Sequence, residues 1–333
     1  MLVITNYARK GGPDKWSPTT RRPERVFELH PKDRDPGNSV YFLRRENSGA
    51  LHEIGSDAFF SRTRGTIDQE ILLYIHGFNT TAESAFQRAT ALQDLLDERF
   101  SDSQKTVEVI LILWPCDEDL GIVNDYWDDQ DAADNSGFGF ARVLGKFLEW
   151  REKRGADDAC YRPINVLSHS MGNRVLRFTL DRWTTYKGGM PAIFKNVFMF
   201  APDIDNQSLE PGWSGHRITK VARNVVVYHA NDDLAMSASK VANIPSSKTI
   251  SRRLGHTGPE DMRRVPKNVF SIDCDDFNNQ YDRPKGHSYF LRDEGTMAGQ
   301  PGLGFKHMAE VIETGRVTAE AGRTLILNQQ TGP

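Results

Sequence analysis

Residues 164–176 read Ile-Asn-Val-Leu-Ser-His-Ser-Met-Gly-Asn-Arg-Val-Leu. Ile164 to Leu167 has the composition of a short strand buried on both faces. Met171 to Trp183 has apolar residues at helical spacing. Between them stands Ser168-His169-Ser170-Met171-Gly172, with small residues two before and two after the central serine. Where a strand turns directly into a helix the two backbones nearly touch, and a large side chain at either flanking position would collide. The central serine then takes a strained conformation that lifts its hydroxyl above the sheet. Ser170 is therefore the candidate nucleophile. Ser168 occupies a place where glycine is usual, and serine is small enough to fit. The plainer alternative is an N-cap serine in an ordinary strand-to-helix turn.

The alternation extends in both directions. Glu70 to His76 and Val107 to Trp114 read as buried strands, with a helix over Thr81–Phe100 between them and a helical stretch from there to about Arg154. Val197–Ala201, Val225–His229 and Val269–Ile272 are further strands. Met1–Thr5, Val26-Phe27 and Ser39–Arg45 have strand composition near the start, and Thr324–Leu327 is a candidate edge strand in the tail. Strands alternating with helices predict right-handed crossovers and a mostly parallel central sheet with helices on both faces. Ligands of such sheets bind beyond the carboxyl ends of the strands. The reactive groups are therefore sought just after each apolar run.

After Glu70–His76 come Gly77-Phe78-Asn79. A glycine there lets the backbone pass close to a substrate. An oxyanion needs fixed N–H donors, and Phe78 and Met171 are the expected pair, with Asn79 as the alternative to Phe78. His76 precedes the glycine and is expected to bond within the loop. A serine nucleophile needs a histidine base, and the base needs a carboxylate. Asp233 follows the strand 225–229 and is the preferred acid, with Asp232 and Asp203 as alternatives. His287 follows the last strand behind Gly286 and is the preferred base. His307 reads as a surface helix position.

Together these residues resemble a bacterial branch of the α/β-hydrolase superfamily described as hydrolases of unknown function. The resemblance is carried by Thr5-Asn6, His76 to Asn79, Trp114-Pro115, Tyr126 with Asp129 or Asp131, Ser168 to Asn173, and Ala201 to Asp205. It continues through Asp233 to Ser239, Arg253 to Gly255 and Gly286 to Tyr289. It spans roughly residues 65–295 and implies the α/β-hydrolase fold with Ser170, Asp233 and His287 as a triad. Departures are Cys116 with the acids that follow it, and the tail beyond Glu313.

The 333 residues carry 42 basic and 45 acidic side chains, a net charge of −3 that gives no pull toward nucleic acid or anionic lipid. Cys116, Cys160 and Cys274 match neither a disulfide framework nor a zinc site. No phosphate-cradling glycine loop follows a strand, so no cofactor and no metal are expected. No apolar run reaches the roughly 18 residues of a membrane span, and Met1–Thr5 does not read as a secretory signal. A cytoplasmic location is expected. The chain reads as one domain over 1–333, with a core at about 65–315, an N-terminal part at 1–64 and a tail at 316–333. Segments 205–220 and 242–264 are candidate caps. The eight acids between Asp117 and Asp134 read as a solvated helix face, or alternatively as an acidic rim. The expected activity is hydrolysis of a small-molecule carboxylic ester through an acyl enzyme. A thioesterase, amidase or acyltransferase on the same triad, or a binding protein that keeps the fold without catalysis, are the alternatives.

Overall fold

Strict alternation of side chains decides the layering of the central sheet. Leu72, Tyr74, Leu167, Phe198, Val226 and Tyr228 enter one core, while Ile71, Ile75, Val166, Val197 and Val225 enter another on the opposite face. The computed structural model describes residues 1–10, 25–30, 39–116, 122–152, 162–189, 191–235, 252–281, 286–292, 299–320 and 322–332.

The chain begins with β1 (Leu2–Thr5), β2 (Arg25–Val26), β3 (Tyr41–Arg45), β4 (Leu51–Glu53) and α1 (Gly55–Arg62). The central run follows: β5 (Gln69–Ile75), α2 (Ala82–Arg99), β6 (Thr106–Leu113), α3 (Ile122–Glu152), β7 (Ile164–His169) and α4 (Gly172–Lys187). Then come β8 (Phe194–Phe200), α5 (His216–Val221), β9 (Ala222–His229), α6 (Leu254–Thr257), β10 (Val269–Asp273), α7 (Leu303–Thr314) and β11 (Thr324–Ile326). The strands form one sheet in the order β11-β10-β9-β8-β7-β5-β6-β1-β3-β4-β2. From β11 to β1 all neighbours are parallel, and β3, β4 and β2 add an antiparallel edge. This is the α/β-hydrolase type of sheet that the sequence predicts. The strand β4 and the helix α1 were not foreseen.

The sheet order reverses at β5, whose neighbours are β6 and β7. Right-handed crossovers therefore place α2 on one face and α3 and α4 on the other, as the two cores show. The last crossover departs from the expected hand. Phe305, Met308, Val311 and Ile312 of α7 share the core of α2, although β10 to β11 continues the direction of β7 to β8. That connection is left-handed, and α7 is anchored by polar groups beneath the sheet. Glu70 accepts from Lys105 (2.6 Å), Lys195 (2.5 Å) and Asn165 (2.8 Å). Asn196 donates to Asn165 and Asn224 to Asn196, each at 2.8 Å, so an amide row crosses β5, β7, β8 and β9. Both lysines and Asn224 also donate to α7 carbonyls or its cap, Ile312 O and Gly315 O. Cations and amides at a helix carboxyl end suit its dipole and unpaired carbonyls.

Segment 205–220, a candidate cap, sinks Leu209 and Ile218 into the core on the α4 face. Of the second candidate cap, 242–251 lie outside the described residues, and Arg253 bridges to Asp205. His307 is a further correction. It is fully buried and pairs through Nδ1 with the Tyr228 hydroxyl at 2.8 Å, because its helical position faces the sheet. No helix among the described residues is long and apolar enough to cross a membrane.

Candidate active site

β7 ends at His169 and α4 begins at Gly172, so Ser170 sits in the turn between them. Its φ is +51°, the left-handed region that side chains avoid at a cost of about 1–2 kcal/mol. Surrounding hydrogen bonds hold it there. Ser170 N–H donates to Phe200 O at 2.9 Å, and Ser170 O accepts from Asn173 N–H, the Asn173 amide and Asp203 N–H, each at 3.1 Å. The Asn173 amide also donates to Ser168 O at 3.0 Å. A Cβ on Gly172 would stand 2.5 Å from His76 O and 2.7 Å from Ile75 O, both backbone atoms that cannot step aside. Gly172→Ala is expected to cost about 3 kcal/mol, the upper part of the usual overpacking range. Urea unfolding of the variant checks this.

The loop after β5 approaches the same turn. A Cβ on Gly77 would lie 2.9 Å from both Ser170 Cβ and His169 Nδ1, so only glycine permits this closeness. Among the described residues, the N–H groups of Phe78 and Met171 donate to no acceptor. Asn79 N–H is directed instead at Asp129 Oδ2, 3.4 Å away. His76 is buried, stacks on Trp114 with ring centroids 5.0 Å apart, and accepts from Trp114 N–H at Nε2. Its Nδ1 donates to Gly77 O at 3.1 Å. Burial pushes its pKa down to about 4, so it is a neutral ring that shapes the loop.

Asp233 and His287 meet. Asp233 lies four residues beyond β9 and is fully buried, and its Oδ2 is 2.6 Å from His287 Nδ1. Gly286 has φ +66° and turns the chain into position, with its N–H on Tyr281 O and its carbonyl on the Asn278 amide. His169 ties this loop to the Ser170 turn. Its Nε2 donates to His287 O at 3.2 Å, and the two rings lie 4.6 Å apart. Burial and the neighbouring His287 hold the His169 pKa well below its ordinary value, so His169 is neutral. Ser170, His287, Asp233 and the Phe78 loop thus share the carboxyl ends of β5, β7, β9 and β10.

The rival acids have other partners. Asp232 is exposed and receives the Asn279 amide at 3.4 Å. Asp203 is buried, accepts from the Tyr126 hydroxyl at 2.8 Å, and pairs with Arg253 at 3.3 Å. In the acidic run, Asp128 and Asp131 are exposed, as a solvated face predicts. Asp129 is buried against Cys116, and Asp134 pairs with Arg174 at 2.8 Å. Asp117, Glu118 and Asp119 lie outside the described residues, as does Cys160. The Cys116–Asp129 and His169–His287 contacts were not foreseen from the sequence. A helical-face count that places Asp129 beside Tyr126 on the inner side would have pointed to the first.

No curated protein matches the chain. A family model does match, over residues 56–294, and its description is alpha/beta hydrolase of unknown function (DUF900). The match covers both the Phe78 loop and the Asp233–His287 pair, and the chain belongs to this hydrolase family.

Proposed function

We propose that the protein is a serine hydrolase that cleaves a carboxylic ester through an acyl enzyme. The observation that carries this reading is the 2.6 Å contact of Asp233 with His287, in a loop that His169 ties to the strained Ser170 turn. With Nδ1–H donated to the carboxylate, proton transfer falls to Nε2. Ser170 Oγ attacks the ester carbonyl while His287 Nε2 takes its proton. The carbonyl oxygen gains negative charge and is received by the N–H groups of Phe78 and Met171. Collapse expels the alcohol, which takes the proton from His287. Water then attacks the acyl enzyme by the same route, and the acid and Ser170 are released. The buried Tyr126 packs on Phe78 in a T-shaped contact with ring centroids 5.5 Å apart, which supports the loop that carries the Phe78 N–H.

A fluorophosphonate probe tests the reading. The folded protein is expected to take one label, located on Ser170 by mass spectrometry, and Ser170→Ala is expected to take none. Absence of label on the wild-type chain, or equal label on the variant, would overturn it.

A further inference from the structure

Besides Ser170, the loop residue Asn79 is a non-glycine residue of the site in the left-handed region, with φ +52°. Asparagine tolerates this conformation better than most residues, yet it is still a strained one. Something must hold it, and the loop's own hydrogen bonds do not reach Asn79 N–H. Asp129 does, from the buried side of α3, at 3.4 Å. This is at the long end for an N–H···O contact, so it steers the N–H rather than binding it tightly.

Cys116 completes the arrangement. Its thiol donates to Asp129 Oδ2 at 2.7 Å, and its sulfur accepts from Thr80 N–H at 3.3 Å. Its backbone is pinned in turn by Tyr7, whose hydroxyl donates to Cys116 O at 2.8 Å and accepts from Cys116 N–H at 3.2 Å. Both Asp129 and Cys116 are buried. Two consecutive N–H groups of the loop, those of Asn79 and Thr80, are therefore drawn away from Ser170. The N–H of Phe78, just before them, donates to no acceptor among the described residues.

We infer that Asp129 and Cys116 are positioning residues that hold Asn79 left-handed and so aim the Phe78 N–H at the reacting carbonyl oxygen. The inference rests on the serine-hydrolase reading above. Neither side chain touches substrate. They act through the backbone of residues 78–80: Asp129 Oδ2 receives the Asn79 N–H and the Cys116 thiol, and Cys116 Sγ receives the Thr80 N–H.

The test uses the full-length protein and p-nitrophenyl esters. Asp129→Ala is expected to lower kcat about 10- to 100-fold with KM changed less than about threefold, below the full loss of one oxyanion donor. Asp129→Asn keeps an acceptor oxygen and is expected to stay within about fivefold of wild type. The decisive readout is Asn79→Gly in the Asp129→Ala background. Glycine enters the left-handed region without steric cost, so this second change is expected to restore kcat at least fivefold. Damage to packing alone would not be repaired by it. Should Asp129→Ala be insoluble, Cys116→Ala carries the same test, with a loss of about fivefold or more that Asn79→Gly reverses. Wild-type kcat in both alanine variants, or no restoration by Asn79→Gly, would overturn the inference while fluorophosphonate labelling of Ser170 leaves the parent reading standing. Failure of that labelling would overturn both.

Discussion

Asp233→Asn is expected to lower kcat by about 10⁴-fold while the protein stays folded. The carboxylate accepts from His287 Nδ1 at 2.6 Å and is wholly buried. It therefore chooses the tautomer with hydrogen on Nδ1, which leaves Nε2 able to take the serine proton. Asparagine is nearly the same size, and it can present its NH₂ to the ring. The ring then carries its hydrogen on Nε2 and cannot act as a base toward Ser170. Asp203→Asn provides the contrast. Its carboxylate is engaged by Tyr126 and Arg253, so that substitution is expected to change kcat less than about tenfold and to act mainly on stability. Steady-state rates on a p-nitrophenyl ester, with unfolding midpoints for both variants, separate the two. A large kcat loss in Asp203→Asn with little in Asp233→Asn would reverse the assignment of the acid.

The second large effect is acid sensitivity of the fold. His76 and His307 are buried neutral rings whose pKa values are pushed down by desolvation to about 4, from 6.5. Between those values the unfolded chain binds protons that the folded chain refuses, so stability is full above pH 6.5 and falls as the pH drops toward 4. Each ring accounts for about 2 kcal/mol of loss by pH 5. His169 and His229 are shifted in the same direction, chiefly by burial, and add to the slope. Together the first two represent a large part of a typical folding free energy of about 5–15 kcal/mol. Urea unfolding at pH 7.5 and pH 5.0 is expected to show the drop, and His307→Gln is expected to flatten it by roughly one ring's share. Equal stability at the two pH values would contradict this.

The parts of the molecule that were legible in the sequence are those fixed by short-range chemistry. Ile164–Leu167 and Val107–Trp114 read as strands because burial on both faces demands continuous apolar runs, and their lengths exclude most helices. The elbow was legible because Gly172 is imposed by a backbone 2.5 Å away. Asp233 and His287 follow strand ends, where a parallel sheet presents its chemistry. What was hidden depends on long-range packing. Asp129 is one acid in a run of eight, and its partner Cys116 is set by the docking of α3 against the Phe78 loop. His307 looked like a surface residue because its partner, Tyr228, is 79 positions away. The hand of the last crossover follows from where α7 docks, which no local spacing encodes.

The amide row of Asn165, Asn196 and Asn224, begun at Glu70, acts as a levelling datum for the whole site. Each amide donates toward β5, and Asn165 and Asn196 each accept from the next amide along, so the row has one direction and one alignment. A one-residue slip of any member would turn its amide to the other face and strand it in hydrocarbon, at about 1–3 kcal/mol for each orphaned group. Asn165, Asn196 and Asn224 stand opposite one another in the strand register, and five residue steps lead from Asn165 to Ser170 and from Asn196 to Ala201. At about 3.3 Å per residue, β7 and β8 are measured off to nearly the same height of about 17 Å from that row. Tolerance to insertion should therefore be lowest in the β7 and β8 segments above that row, where one added residue would put Ser170 or Ala201 out of level with its neighbour.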